Sequence, residues 1–228
     1  MNPHEPTRMF ERAVAEYTGA PYCVAVNSCT NALFLCLKWK LRIAELMPFA
    51  AVQTVEIPKR TYVSVPMQII HAGARVAFRD EDWVGAYQLK SLRIWDSARL
   101  FTSGMYQPGY MMCTSHHWSK TLGLQQAGCI LHDDPEADAW LRRARFDGRA
   151  EGVPPSQDDF TFCGWHFYLS PEIAALGLVK LSFLPKHNDP LPNDDYPDLS
   201  KLSIFQAHGA KPDALVKGNA GDQGRHQS

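Results

Sequence analysis

Apolar side chains recur along this chain in two rhythms. Phe10, Val14 and Tyr17 stand four and three positions apart, which predicts an amphipathic helix over 8–17. Gly19 and Pro21 just beyond are stop signals. Residues 23–26 form a short unbroken apolar run, the pattern of a buried strand. A cluster of capping residues follows, Asn27, Ser28, Thr30 and Asn31. Leu33, Leu37 and Leu41 then mark a long helix over 30–47. The alternation continues with a strand at 55–57, closed by Pro58, and a helix through residue 71 with Pro66 in its first turn and Gly73 at its end. Further strands are expected at 75–78, 91–95 and 128–131, and helices at 135–146 and 171–181, each opened by a proline. Strands alternating with helices predict an α/β fold with a mostly parallel sheet.

The pattern changes after Pro185. Pro190, Pro192 and Pro197 are interspersed with Asn and Asp, one apolar patch remains at 202–205, and the end is polar and glycine-rich. The expected organisation is an α/β domain over 1–185, followed over 186–228 by an extended arm and a disordered tail.

Composition narrows the classes. The 228 residues are 45% apolar and 21% charged, an ordinary globular mix with enough chain for a core without metal or disulfide staples. With 23 basic and 24 acidic side chains, nothing suggests a broad nucleic-acid face. The apolar runs are too short to span a bilayer, and the first residues lack the apolar stretch of a secretory signal. Six cysteines are scattered without a C-x-x-C pair, so reduced thiols and a cytoplasmic setting are expected.

Three positions carry candidate chemistry. Ser28–Thr30 lies between a strand and a helix, where free N–H groups and the helix dipole attract anions. Asp96 follows the apolar run 92–95, at the strand end where open α/β sheets bind ligands. Lys120 stands beside Trp118 in a segment where a lowered pKa suits a Schiff-base nucleophile. On local grounds simpler readings stay open: a helix cap at Ser28, a cap at Asp96, a surface lysine at 120. Cys113-x-x-His116 and Cys129-x-x-His132 have paired zinc-like spacing. A strand through 129–131 would turn Cys129 and His132 to opposite faces, so no metal is expected. Arg142, Arg143, Arg145 and Arg149 read as a solvated basic helix face.

Taken in order, these segments resemble the DegT/DnrJ/StrS family of pyridoxal-phosphate (PLP) sugar aminotransferases. Phe10-Glu11-x-x-Val14-Ala15-Glu16-Tyr17-Thr18-Gly19-Ala20 is similar to the family's opening helix, and Ala25 through Leu33 to its V-N-S-G-T-A-A-L segment. Glu56-Ile57-Pro58 through Thr61-Tyr62-Val63-Ser64 resembles the next block, and Trp95-Asp96-Ser97-Ala98 resembles E-D-A-A. Ser115 with Lys120 is similar to S-F-x-x-x-K, and Leu141-Arg142-Arg143 with Gly148-Arg149 to the L-R-x-x-R-x-x-G-R helix. Gly164 to Leu181 is similar to a further family stretch.

The resemblance implies the large domain of a fold-type-I PLP transferase, with the C-terminal small domain largely missing and the 80–91 region shortened. It implies that Lys120 forms a Schiff base with PLP and shuttles protons, that Asp96 pairs with the pyridinium nitrogen, and that Tyr62 stacks on the ring. Ser28, Thr30 and Ser115 would hold the phosphate. It implies an amino-acid donor, glutamate first, a nucleotide-linked keto-sugar acceptor, and a homodimer in which the His166 segment reaches the neighbouring copy. Cys29 stands where the family has Gly, and Arg99 where Gln or His contacts the cofactor's phenolic oxygen. His166 stands in place of an Asn and Tyr168 in place of an Arg, while Gln125-Gln126-Ala127 interrupts a Gly-rich loop. These departures motivate two alternatives, a non-catalytic homologue that binds PLP or a nucleotide sugar, and an interaction subunit.

Overall fold

The computed structural model describes residues 3–45 and 52–207, with nothing stated of side chains 43–45. Strands β1 (Tyr22–Val26), β4 (Tyr87–Leu89), β5 (Ile94–Ser97), β6 (Met111–Ser115) and β7 (Gly128–His132) form a five-stranded sheet in the order β1-β7-β6-β5-β4. Strands β2 (Thr54–Pro58) and β3 (Arg75–Arg79) pair in parallel as a second sheet. The Lys90 N–H donates to the Glu56 carbonyl at 2.9 Å and ties β2 to the end of β4.

The α/β class stands, but the expected mostly parallel sheet does not describe the main ladder. Only β5–β6 pair in parallel there, while β1–β7, β6–β7 and β4–β5 are antiparallel. Strands β1, β5 and β6 point one way. β7 runs against its two neighbours because the compact 116–127 loop returns the chain directly beside β6, and β4 folds onto β5 through a tight turn in which Ser91 takes φ 75°. That turn also explains why the strand expected over 91–95 starts only at Ile94 and carries Asp96 within it. β4 and β6 escaped the hydrophobic reading. β4 has three residues, and β6 (Met-Met-Cys-Thr-Ser) has no β-branched run although its first four residues are buried.

Helices cover both faces. α2 (Cys29–Glu45) is buried nearly all round from Ala32 to Leu37, because β5, β6 and β7 lie on one side and α3 (Ser64–His71) and α4 (Pro135–Ala144) on others. This explains its apolar run, which a surface helix would break with polar positions. The expected end at residue 47 lies outside the described residues. On the opposite face α1 (Glu5–Thr18) buries Phe10 and Val14 against α5 (Pro171–Ser182). A Cβ on Gly177 would come 2.7 Å from the Phe10 ring, so that glycine sets how closely the helices pack. Gly19 in the left-handed conformation closes α1, and Asp134 caps α4 by accepting from the Glu136 and Ala137 N–H groups.

The arginines of α4 and its C-terminal extension are not a solvated face, contrary to expectation. Arg145 is fully buried, bridging Glu11 and Glu151, while Arg142 holds Glu11 at 2.6 Å and Asp138 at 2.7 Å. Glu11 of α1 is buried beside β1 and accepts from the Ala25 N–H at 2.8 Å. An internal carboxylate needs cations, and the helix end supplies them.

Beyond α5 the chain runs without α-helix or strand until Leu199, and then forms two short turns of helix. The Ser103 N–H donates to the Lys186 carbonyl, the Leu191 N–H to the Arg99 carbonyl and the Leu199 N–H to the Lys59 carbonyl, at 2.8–2.9 Å. Leu199 and Phe205 are buried, the latter edge-on to Phe78. The segment is therefore a docked strap across the open side of the domain. The tail expected beyond it lies outside the described residues from 208 onward.

Candidate active site

A cavity of about 560 Å³ opens where the start of α2, the end of β5, the 116–127 loop and the strap converge. It lies within the range of small-molecule sites. Its walls include Ser28, Cys29 and Thr30, then Tyr62, Asp96 and Arg99, then Ser115 and Lys120.

At the mouth of α2, the Ser28 hydroxyl accepts from the Asn31 N–H at 3.1 Å, which makes it the helix cap. The Thr30 and Ser64 hydroxyls are 2.9 Å apart and join α2 to α3. By helix geometry the first-turn N–H groups of Cys29 and Thr30 have no acceptor within the helix. The Cys29 side chain is buried, its thiol donating toward the Cys113 carbonyl at 3.6 Å, so replacing glycine does not block this turn. Burial, then the Asp96 carboxylate, hold its pKa well above the ordinary thiol range.

Asp96 forms the floor. Its Oδ2 accepts from the Tyr87 hydroxyl at 2.9 Å and its Oδ1 from the Ala98 N–H at 3.0 Å. Tyr87 in turn lies 2.7 Å from the Thr61 hydroxyl. Burial raises the Asp96 pKa, while these hydrogen bonds and Lys120 work against that rise.

Lys120 rises from a loop pinned at both ends. The His116 N–H donates to the Ala127 carbonyl and the Leu124 N–H to the His116 carbonyl, and Leu122 and Leu124 are buried beneath it. The amine is half-buried. Burial first, then the Arg99 guanidinium, lower its pKa; Asp194, Asp96 and Cys29 pull it upward.

The cavity gathers every sequence-predicted site residue except His166. That ring is exposed, its Nδ1 lying 2.8 Å from Asp147 Oδ2, in a segment bridged to Phe146 on another part of the surface. Within one chain the α4–α5 connection holds it away. Arg99 meets the strap rather than the open cavity: Nη1 donates to the Pro192 carbonyl, Nη2 pairs with Asp194, and Nε donates to the Tyr196 hydroxyl at 3.2 Å. Sequence reasoning missed Thr61, Tyr87, Asp194 and Tyr196. The one signal available was Arg99 itself, an always-charged group in a cavity wall that demands an acid.

The paired Cys-x-x-His spacings do not converge. Cys113 Sγ lies 3.5 Å from Cys36 Sγ, His116 Nε2 3.2 Å from the Thr114 hydroxyl, and His132 stacks on Tyr22. Among the described residues no group of three His, Cys, Asp or Glu could hold a metal. Likewise no helix among them is long and apolar enough to cross a membrane.

Residues 3–93 match the DegT/DnrJ/EryC1/StrS aminotransferase family. The spore coat polysaccharide biosynthesis protein SpsC of Bacillus subtilis is 43% identical over 75 residues, 33% of this chain and 18% of that protein. Among solved structures, AtS13 from Actinomadura melliaura superposes with TM-score 0.68 at 19% identity, over 80% of this chain and 61% of that one. Helicobacter pylori PseC, an aminotransferase involved in the biosynthesis of pseudoaminic acid, gives 0.64 at 16% identity, over 79% and 58%. The chain thus spans about three-fifths of the length of these solved relatives and under a fifth of the curated one. The sequence match reaches Ser28 through Tyr62 and stops short of Asp96 and Lys120, which rest on the fold. Residues 3–93 thus match the sequence pattern of the DegT/DnrJ/EryC1/StrS aminotransferases, and the α/β fold is similar to those of AtS13 and PseC.

Proposed function

We propose that this protein is a PLP-dependent aminotransferase that moves an amino group from an amino acid, glutamate first, to a nucleotide-linked keto-sugar. One observation carries the reading. A half-buried amine, a buried carboxylate and an open helix N-terminus face a single cavity of ligand size.

The residues fit the cofactor. Asp96 is buried with its pKa pushed up, so a cationic partner would favour its ionised form. A protonated ring nitrogen is such a partner, and the Tyr87 and Ala98 donors fix the carboxylate's orientation toward it. The α2 N-terminus with the hydroxyls of Ser28, Thr30 and Ser115 suits the phosphate. Tyr62, more than half exposed at the cavity wall, offers a ring face for stacking. Bound PLP supplies an aldehyde that condenses with primary amines and a ring that accepts an electron pair.

This chain's own residues do the rest. Lys120 must be neutral to act as nucleophile or base, and burial beside Arg99 favours the neutral amine. Its Nζ would take the proton from the amino-acid Cα and return it during the transfer. The pinned loop holds that amine in place, and the strap walls one side of the cavity with Asp194 and Tyr196. In a homodimer, the exposed His166 segment would face the cavity of the neighbouring copy.

The test is the absorbance spectrum with PLP before and after glutamate, with borohydride trapping and peptide mapping. A reducible adduct on Lys120 that converts to the pyridoxamine form supports the enzyme. The same adduct in Lys120→Ala overturns the assignment. The second reading, a non-catalytic binder, draws on Arg99, whose three donor nitrogens are all taken by the strap. A Lys120 adduct that stays unchanged with glutamate would select it.

A further inference from the structure

The Arg99 guanidinium is the permanent charge of the cavity wall. Its side chain is 7% exposed, and Asp194 answers it from the strap with a side chain 68% exposed. The Tyr196 hydroxyl completes the cradle. It donates to Asp194 Oδ2 at 3.2 Å while accepting from Arg99 Nε at 3.2 Å. A planar guanidinium and a phenol therefore grip one carboxylate, and that carboxylate belongs to the chain itself.

The two partners are held very differently. Arg99 lies two residues beyond β5 and is held by backbone bonds, its N–H to the Gly85 carbonyl and its carbonyl to the Leu191 N–H. Tyr196 is stacked on Trp83, and Trp83 is anchored through its indole N–H to the Arg60 carbonyl. Asp194 sits in irregular chain between Pro192 and Pro197 and faces solvent. The Arg99 backbone and the Tyr196 ring are thus tied to the rest of the fold, whereas the Asp194 carboxylate is held by side-chain contacts and is open to solvent.

We propose that Arg99 and Tyr196 form a carboxylate-binding subsite of the cavity, filled here by Asp194 as an internal ligand that a small carboxylate ligand displaces. A buried guanidinium cannot be left bare, so displacement requires an incoming anion that takes the same two donors. One guanidinium face plus one phenol matches a carboxylate and leaves a phosphate's further oxygens without partners. Arg99 stands where the family resemblance implies Gln or His, and Asp194 is the compensating charge. In the proposed reaction the carboxylate would be that of the amino-acid donor. That identification rests on the proposed function; the binding itself needs no PLP.

The test titrates the full-length chain, as purified and without added PLP, with succinate by calorimetry, using inorganic phosphate at equal ionic strength as control. Asp194→Asn removes the internal competitor and should tighten succinate binding about tenfold. Arg99→Gln should abolish it, and Tyr196→Phe should weaken it several-fold. In the unmodified protein, saturating succinate should speed amide exchange across 193–196 as Asp194 is released and the Tyr196 N–H loses its bond to the Asp194 carbonyl, the Tyr196 ring staying stacked on Trp83; this readout is independent of any variant's folding. Unchanged or weaker binding in Asp194→Asn, phosphate binding that Arg99→Gln abolishes along with that of succinate, or slower or unchanged exchange at 193–196 would each overturn the subsite. None of these results bears on whether borohydride traps PLP on Lys120.

Discussion

Tyr87 and Asp96 stand directly opposite each other across the antiparallel β4–β5 pair, and the tyrosine hydroxyl donates to Asp96 Oδ2 at 2.9 Å. The register of a three-residue edge strand thereby fixes the carboxylate at the cavity floor. A Thr61–Tyr87–Asp96 chain of hydroxyls carries that order to the β2–α3 connection.

Asp96→Asn should stabilise the PLP-free protein at neutral pH. The native pKa is raised by burial, so the folded state binds the proton more tightly than the unfolded one. Stability is highest below the unfolded carboxylate range, near 3.9, and falls as pH rises through the native pKa. At pH 7 the buried carboxyl is a cost that asparagine removes. Thermal melts of both proteins from pH 4 to 8 should diverge as pH rises, with the variant more stable at the upper end. Under the proposed function the same variant should bind PLP weakly, because the carboxylate proposed to pair with the ring nitrogen is gone. A variant less stable at pH 7, with the gap closing toward pH 4, would contradict the account.

Gly128→Ala should damage the fold at the site. A Cβ there would lie 2.5 Å from the Cys29 nitrogen and 2.5 Å from the Ser28 carbonyl carbon, backbone atoms that cannot swing aside. Relieving the clash means pushing β7 away from the start of α2. The expected loss is about 3 kcal/mol or more, at the top of the overpacking range. Denaturant unfolding gives the number, and a loss under about 1 kcal/mol would show the contact to be slack.

The legible parts of the sequence were those with a local cause. Ser28 and the polar turn around it announced the α2 start, and the proline-led starts of α4 and α5 fell at the first helical position. Arg145 was misread because helix periodicity counts charge as solvent-facing, whereas it and Glu11 bury each other across 134 residues. β6 hid because Met and Cys give no strand preference, and its burial comes from flanking strands that no window contains. Asp194 looked like one acid among several in a loop. Only the distant Arg99 gives it a role, and pairings between remote segments leave no periodic trace.

Glu11→Gln should cost about 3–5 kcal/mol, since it leaves Arg145, fully buried, short of a counter-charge. The same network predicts sensitivity to acid. Burial opposes ionisation of Glu151, but Arg145 outweighs it and the pKa falls below the ordinary carboxylate value. A depressed carboxyl contributes stability above its unfolded pKa, near 4.3, which is lost as pH drops through the native value. Melts in Glu151→Gln should therefore lose less stability between pH 5 and 3 than the unmodified protein. Parallel acid profiles would place the sensitivity elsewhere.

Lys120→Met should raise stability at neutral pH while removing the proposed chemistry. Burial and Arg99 lower the amine's pKa in the folded chain, so the unfolded state binds the proton more tightly. Stability then increases as pH rises from the native pKa toward the unfolded value, near 10.4, and below that window the charged amine is a standing cost. Methionine keeps the unbranched stem and discards the charge, so the variant should melt higher at pH 7 and the advantage should shrink as pH approaches 10. Arg99→Gln separates this from a general packing gain. With the neighbouring cation gone, Lys120 should titrate at higher pH, read as the amine's chemical shift after isotopic reductive methylation. A Lys120 titration that Arg99→Gln leaves in place, or moves downward, would mean that the guanidinium does not act on the amine.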